Sequence, residues 1–348
     1  MIRGLLLLLL AAVLTACDHV SYYAQAVRGQ AAILLARQSI SDLLQNPQLD
    51  PVRREQLMLV DAARQFAEQQ LMLPAQGSFT TFVDPGRDHL VWNVFAAPWN
   101  SVDLLNWCFP IAGCVGYRGY FSERAAHQYA SRLAADGYDV YVGGVDAYST
   151  LGWFRDPLPA TVLRRDNNQL AGLIFHELAH QRVYLPGDTV FNESFASFVE
   201  RQGLQLWLAR RGQEHQVQQI VDAQQVQQRF AVHVAQYREQ LRTLYDSDAM
   251  SRDEMANRKQ QIIQAMREHW RSGPDAAAYG NWFASEINNA QMATVAAYFD
   301  YVPAFEQLYK DNNGNFERFY EAVAALADLS SQERTQALQR LMFASGAL

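Results

Sequence analysis

Cysteine is scarce in this chain, with 3 in 348 residues, which excludes a disulfide-dense miniature fold and a zinc site built from several cysteines. Basic residues are outnumbered too: 29 Lys plus Arg face 36 Asp plus Glu, for a net charge of −7. That balance argues against a nucleic-acid partner, because phosphate recognition needs a basic surface. No repeat recurs at solenoid periods, and neither a low-complexity tail nor a linker divides the chain. Long apolar runs are missing except for one at the start, MIRGLLLLLLAAVLTAC. It carries Arg3 and is too short for a comfortable membrane span. The remainder is an ordinary globular composition, 49% hydrophobic and 12% aromatic, sufficient for a sizeable core.

The leader ends in Leu14-Thr15-Ala16-Cys17, which resembles a bacterial lipobox. That resemblance implies removal of residues 1–16, lipidation of Cys17 and a protein anchored to the cell envelope facing the oxidising periplasm. An ordinary cleaved signal or a membrane helix is the competing reading. Asp18 leaves inner and outer membrane both open. In such a compartment Cys108 and Cys114, which bracket the turn-forming Phe-Pro-Ile-Ala-Gly, are a possible disulfide.

Residues 176–180 read His-Glu-Leu-Ala-His. On a helix His176 and His180 stand one turn apart on one face, where both imidazoles reach a single Zn²⁺. Glu177 flanks that ion without ligating it and is placed to take a proton from a metal-activated water. The surrounding QLAGLIFHELAHQRV is apolar nearly all round, with Asp166, Asn167 or Asn168 as candidate caps, so it reads as a buried helix. Buried histidines and a buried glutamate are costly unless paired or metal-bound. Leu185-Pro186-Gly187-Asp188 then breaks the chain, and a second helix carries Asn192, Glu193, Ala196 and Glu200. Glu193 is the expected third ligand, for one zinc per chain. Glu200 is expected to orient a ligand histidine, or else to be a solvated helix charge.

HELAH followed by NESFASFVE resembles the gluzincin metallopeptidases, and in particular their zinc-aminopeptidase branch, whose Asn-Glu, small residue and second Glu are matched by Asn192, Glu193, Ala196 and Glu200. The branch has an upstream Gly-x-Met-Glu-Asn segment that grips the substrate's amino group. Here Gly143 and the acid Asp146 match it, while Val145 and Ala147 depart from it. The spacing from His180 to Glu193 is also shorter than in that branch. The chain as a whole is similar to a family of proteobacterial lipoproteins described as predicted aminopeptidases, on the segments CFPIAGCVGYRGYF, YSTLGWFRDP, HELAH and NESFASFVE.

Two amphipathic helices are expected at 22–45 and 51–73, the second capped by Asp50. Strand-like segments follow at GSFTTFV, HLVWNVFAA, Tyr117 to Phe121 and YDVYVGG, around the helical SERAAHQYASRLAA. The expected fold class is therefore α+β, gluzincin-like: one domain over 17–348, with a small mixed sheet whose edge lies beside the zinc helix and a mainly helical C-terminal half. Residues 211–272 carry a thin stripe of Phe230, Val234, Tyr237, Leu241 and Leu244 and a Ser251/Glu254 capping pattern, which reads as a helical hairpin. It either packs on the main domain or serves as a partner-docking arm or a lid.

The function expected is zinc-dependent release of N-terminal residues from peptides, with an endopeptidase or cell-wall amide hydrolase as the alternative within enzymes and a lipoprotein scaffold with structural zinc outside them. Gly143 and Gly144 would let an extended peptide approach an edge strand. Asp146 would then meet its α-ammonium, or else simply close the strand as a turn residue. Tyr298, Tyr301 and Tyr148 are the candidates for stabilising the oxyanion.

Overall fold

A computed structural model of the chain describes residues 20–75, 77–109, 113–151, 154–247 and 249–346, apart from the side chains of 296–299. The expected first helix is two. Helix α1 spans 20–36, and the chain then extends as β1 (Gln38–Ser39) before α2 (Ile40–Gln45). The interruption has a tertiary cause: Gln38 and Ser39 pair with Phe82 and Thr81 of β2 (Thr81–Val83), and the Ser39 side chain caps α2. Helix α3 (Pro51–Gln70) starts on the Asp50 cap, with Pro51 at its first position, where a missing N–H costs nothing.

Strands β3 (Val91–Pro98), β4 (Trp107–Phe109), β5 (Gly113–Val115) and β6 (Arg118–Tyr120) lead into helix α4 (Glu123–Ala135), β7 (Tyr138–Val145) and β8 (Leu158–Pro159). The fold is α+β, but the strands among the described residues form three small sheets. Among the described residues, parallel and antiparallel pairing mix only in β1-β2-β8. The sheet beside the candidate site, β6-β3-β7, is antiparallel throughout. Cys108 and Cys114 face each other in the β4–β5 pair and are joined by a disulfide.

Alternation sorts the faces of β6-β3-β7. Trp92, Val94 and Tyr120 pack against Ala126 and Ala130 of α4, while Val91, Asn93, Gly119 and Val145 line a cavity on the other side. The sheet therefore offers this cavity a face rather than an edge.

Helices α5 (Asn167–Arg182) and α6 (Thr189–Arg210) form the back of that cavity. After them come α7 (Glu214–Tyr245), α8 (Arg252–Arg271), α9 (Gly280–Ala284), α10 (Asn289–Phe299), α11 (Val302–Asp311), α12 (Phe316–Ala327) and α13 (Ser331–Ser345). The largest core joins α3, α5 and α6 to the C-terminal helices, through Phe175, Phe191, Phe195, Phe305, Phe319 and Tyr320. Both helices of the site thus stand on a rigid base.

In α7 the stripe Phe230, Val234, Tyr237, Leu241 and Leu244 is buried against Ile263, Met266 and Trp270 of α8 and against Met292 and Val295 of α10. One buried ion pair ties this unit to the sheet: Lys259 Nζ lies 2.5 Å from Asp139 Oδ2 and donates to Trp99 O at 2.8 Å. Lys259→Ala leaves the Asp139 carboxylate, among the described residues, with the Asn289 N–H as its remaining partner in a largely buried setting. Breaking a pair this way costs about 3–5 kcal/mol. Urea unfolding checks it, and a loss below about 1 kcal/mol, the level of a surface pair, would show that Asp139 is solvated.

Candidate metal centre

Helix α5 begins on a capping box in which Asp166 accepts from the Asn168 and Gln169 amides and Gln169 answers back. Its apolar positions, Leu170, Ala171, Ile174, Phe175, Leu178 and Ala179, are all fully buried. Packing on that scale fixes the helix rotation and presents His176, Glu177 and His180 together, each 7–8% exposed. The turn to α6 is held by Asn192, whose side chain both accepts from Leu185 N and donates to Leu185 O at 2.8 Å. Glycine lets the two helices close up: a Cβ at Gly172 would lie 3.1 Å from Glu200 Oε1. This is why α6 delivers Glu193 and Glu200 to the histidines.

Glu193 Oε2 lies 3.3 Å from His176 Nε2 and 3.7 Å from His180 Nε2. The three ligand atoms all fall within 4.8 Å of one another. Ligands about 2.0–2.1 Å from a tetrahedral zinc stand roughly 3.3 Å apart, so the spacing suits one cation of that size. Behind the first histidine, His176 Nδ1 lies 3.1 Å from Glu200 Oε2. With Nδ1 engaged there, Nε2 is turned toward Glu193 and the centre. His180 Nδ1, in contrast, is buried with no hydrogen-bond partner among the described residues.

The electrostatics are those of a cation site. Burial opposes charge on Glu193, yet the neighbouring His180 and His176 outweigh it and hold the carboxyl below the usual carboxylate range. Burial likewise works against a charged His176, but its bonds to Glu193 and Glu200 win and raise its pKa well above an ordinary imidazole's. The pull that keeps a proton there is available to a metal ion. Glu177 is pushed up by burial, with His176 and His180 opposing.

The cavity in front of these groups, about 320 Å³, has aromatic walls that include Tyr22, Phe109, Tyr117, Phe121, Tyr148 and Tyr184. Tyr117 and Tyr184 were not singled out in the sequence. Burial raises the pKa of both phenols, reinforced in each case by Glu193, so they stay protonated as donors beside the carboxylates. Tyr184 had a local signal, since it stands four residues after His180, and the two rings are 6.5 Å apart. Tyr117 had none beyond its aromatic strand. Of the earlier candidates Tyr148 lines this cavity and donates to Gln30 Oε1. Tyr301 lines a neighbouring cavity instead, together with Asp188. The Tyr298 side chain lies outside the described residues.

Asp146 needs a correction. Its carboxylate accepts from Arg164 at 3.3 Å and Arg165 at 3.2 Å and lies 2.8 Å from His89 Nδ1, and it does not line the cavity. The reason is parity: Val145 and Ala147 face the cavity, so Asp146 between them turns the other way. Gly144 shares its side, where a Cβ would lie 2.3 Å from the His89 ring. Gly143 pairs with Asn93 on the cavity face. Among the described lining residues the carboxylates are Glu177 and Glu193.

On the expectation that the centre takes zinc, Glu200→Gln should keep the fold and weaken zinc affinity about 10- to 100-fold, as when the group orienting a ligand histidine is weakened. Competition with a chromophoric chelator measures it. Unchanged affinity would mean that packing alone orients His176.

No curated protein and no solved structure compared with the chain matches it. Residues 21–338 do match the family described as "Putative aminopeptidase". With that span, nearly the whole of the described chain, the protein belongs to this aminopeptidase family.

Proposed function

We propose that this protein is a zinc-dependent peptidase. The observation that carries the reading is the convergence of His176, His180 and Glu193 on one point of a cavity that Glu177 also lines. Zinc, when bound, would lower the pKa of a coordinated water and polarise the scissile carbonyl. Everything else falls to side chains. Glu177 takes the proton of the attacking water and returns it to the leaving nitrogen, a role suited to a carboxyl whose pKa burial has raised. Tyr117 or Tyr184 donates a hydrogen bond to the carbonyl oxygen as its charge develops. A set of two histidines and one carboxylate, without cysteine, would hold zinc as catalytic sites do, whereas structural sites ordinarily take four protein ligands. We also propose that the chain is held in the envelope by lipid on Cys17.

The family's description favours an aminopeptidase. One observation favours the endopeptidase alternative: with Asp146 engaged by two arginines, the carboxylates that line the cavity among the described residues are Glu177 and Glu193, both committed to the centre, and neither is left to grip a free α-ammonium. The deciding experiment is metal analysis of the purified protein, coupled to cleavage of a panel of free and N-acetylated peptides. One zinc per chain with cleavage of free peptides only establishes the aminopeptidase. Equal cleavage of both sets establishes an endopeptidase, and no cleavage of either by zinc-loaded protein removes the peptidase reading.

A further inference from the structure

Helix α1 has two apolar faces where a surface helix has one. Its inner positions, Tyr22, Gln25, Ala26, Gly29, Gln30 and Ile33, are half-buried or buried. Tyr22 and Ala26 line the cavity of the metal centre. The Tyr22 ring lies 4.1 Å from the Arg118 guanidinium, the Phe121 N–H donates to Gln25 Oε1 at 3.0 Å, and Gly29 sits against the Phe121 ring, where a Cβ could not fit. The outer face is the anomaly. Val20, Tyr23, Val27 and Leu35 are 68%, 42%, 70% and 86% exposed, and Ala24, Ala31, Ala32 and Ala36 are exposed between them. Ser21 and Arg28 are the polar residues among the exposed positions, and α1 contains no acid and no lysine.

We propose that this outer face docks on a lipid bilayer. The chain outside the described residues argues for that occupant. The apolar leader and Cys17 lie immediately upstream of Val20, so an acyl chain on Cys17 places the start of α1 at the membrane surface. The inference rests on the anchor reading of Cys17. An exposed apolar stripe with a single basic residue and no acid suits the interface between headgroups and acyl chains. A water-facing helix gains nothing from Val27 or Leu35 there. Because the inner face of the same helix covers the metal centre, docking would put the candidate site directly behind a membrane-bound roof.

The test uses the full chain in phosphatidylethanolamine/phosphatidylglycerol vesicles, with a nitroxide on Val27→Cys or Leu35→Cys and a control on the exposed Arg340→Cys. We expect the α1 labels to collide more with oxygen and less with a water-soluble nickel chelate, the ratio shifting at least about threefold against the control, as for an interfacial helix. Labels as accessible to the nickel reagent as the control overturn the proposal. Labels shielded from both reagents also overturn it, in favour of a protein surface such as a second copy. The mass of the Cys17 peptide from the same preparation separates the anchor from the docking, since an unmodified Cys17 removes the anchor while the labels still read what α1 touches. Neither readout involves zinc or turnover, so failure of the peptidase reading would be seen separately.

Discussion

Glu177→Gln should lower kcat by about 10²- to 10⁴-fold, the range for loss of a general base, or about 3–5 kcal/mol of transition-state stabilisation. Zinc content and thermal stability should hardly change. The substitution is nearly isosteric at a position 7% exposed, and it removes a group that burial already holds towards its neutral form. An amide cannot accept the water's proton, whereas the ligand set of His176, His180 and Glu193 is untouched. KM should stay within a few-fold, because Glu177 acts on the reacting water. The check is steady-state kinetics with metal analysis of the same sample. Turnover within a factor of a few of wild type, with zinc retained, would remove Glu177 from the chemistry.

His180→Ala and Glu193→Ala should each strip the metal. Either change leaves two protein ligands where a catalytic zinc site ordinarily has three. Glu193 has the further task of neutralising the centre: it lies within 3.7 Å of both imidazoles, so removing it leaves them, or a cation, without that carboxylate. The expectation is less than about 0.1 zinc per chain after dialysis against a weak chelator, set against one per chain for wild type with three ligands in place. Zinc should also raise the unfolding temperature of the wild type, since a ligand at 100 times its Kd adds about 2.7 kcal/mol to the folded state. It should do nothing for either variant. Full occupancy in His180→Ala would mean that the ion is held elsewhere.

How much of this centre was legible in the sequence depended on the distance over which each feature is decided. The His176–Glu177–His180 spacing is read by one turn of helix, and the helix is specified within its own segment by the Asp166–Gln169 capping box and the apolar positions around it. The cap at Asp50 and the Ser251–Glu254 box likewise close within a few residues. Cys108 and Cys114 meet across a tight β-pair.

Features settled by distant partners were missed or misread. Residues 22–45 carry a helical pattern throughout, yet the chain extends at Gln38 because β2, more than forty residues later, offers backbone groups to pair with. Tyr117, in the turn before β6, and Tyr184, in the loop after α5, lie far apart in the chain and come together only where the fold closes around Glu193. Asp146 shows the same limit most sharply.

The sequence by itself determined a buried helix with two histidines and a glutamate on its face and a second helix with carboxylates to meet it. Only the tertiary structure decided which way β7 faces. Alternation makes the two sides of a strand distinct but does not say which side is which when both are covered. In β6-β3-β7 α4 takes one side and the cavity the other. The pairing of Val91 with Val145 and Asn93 with Gly143, set by contacts across the fold, therefore sent Asp146 to its arginines and left the candidate metal centre among tyrosines.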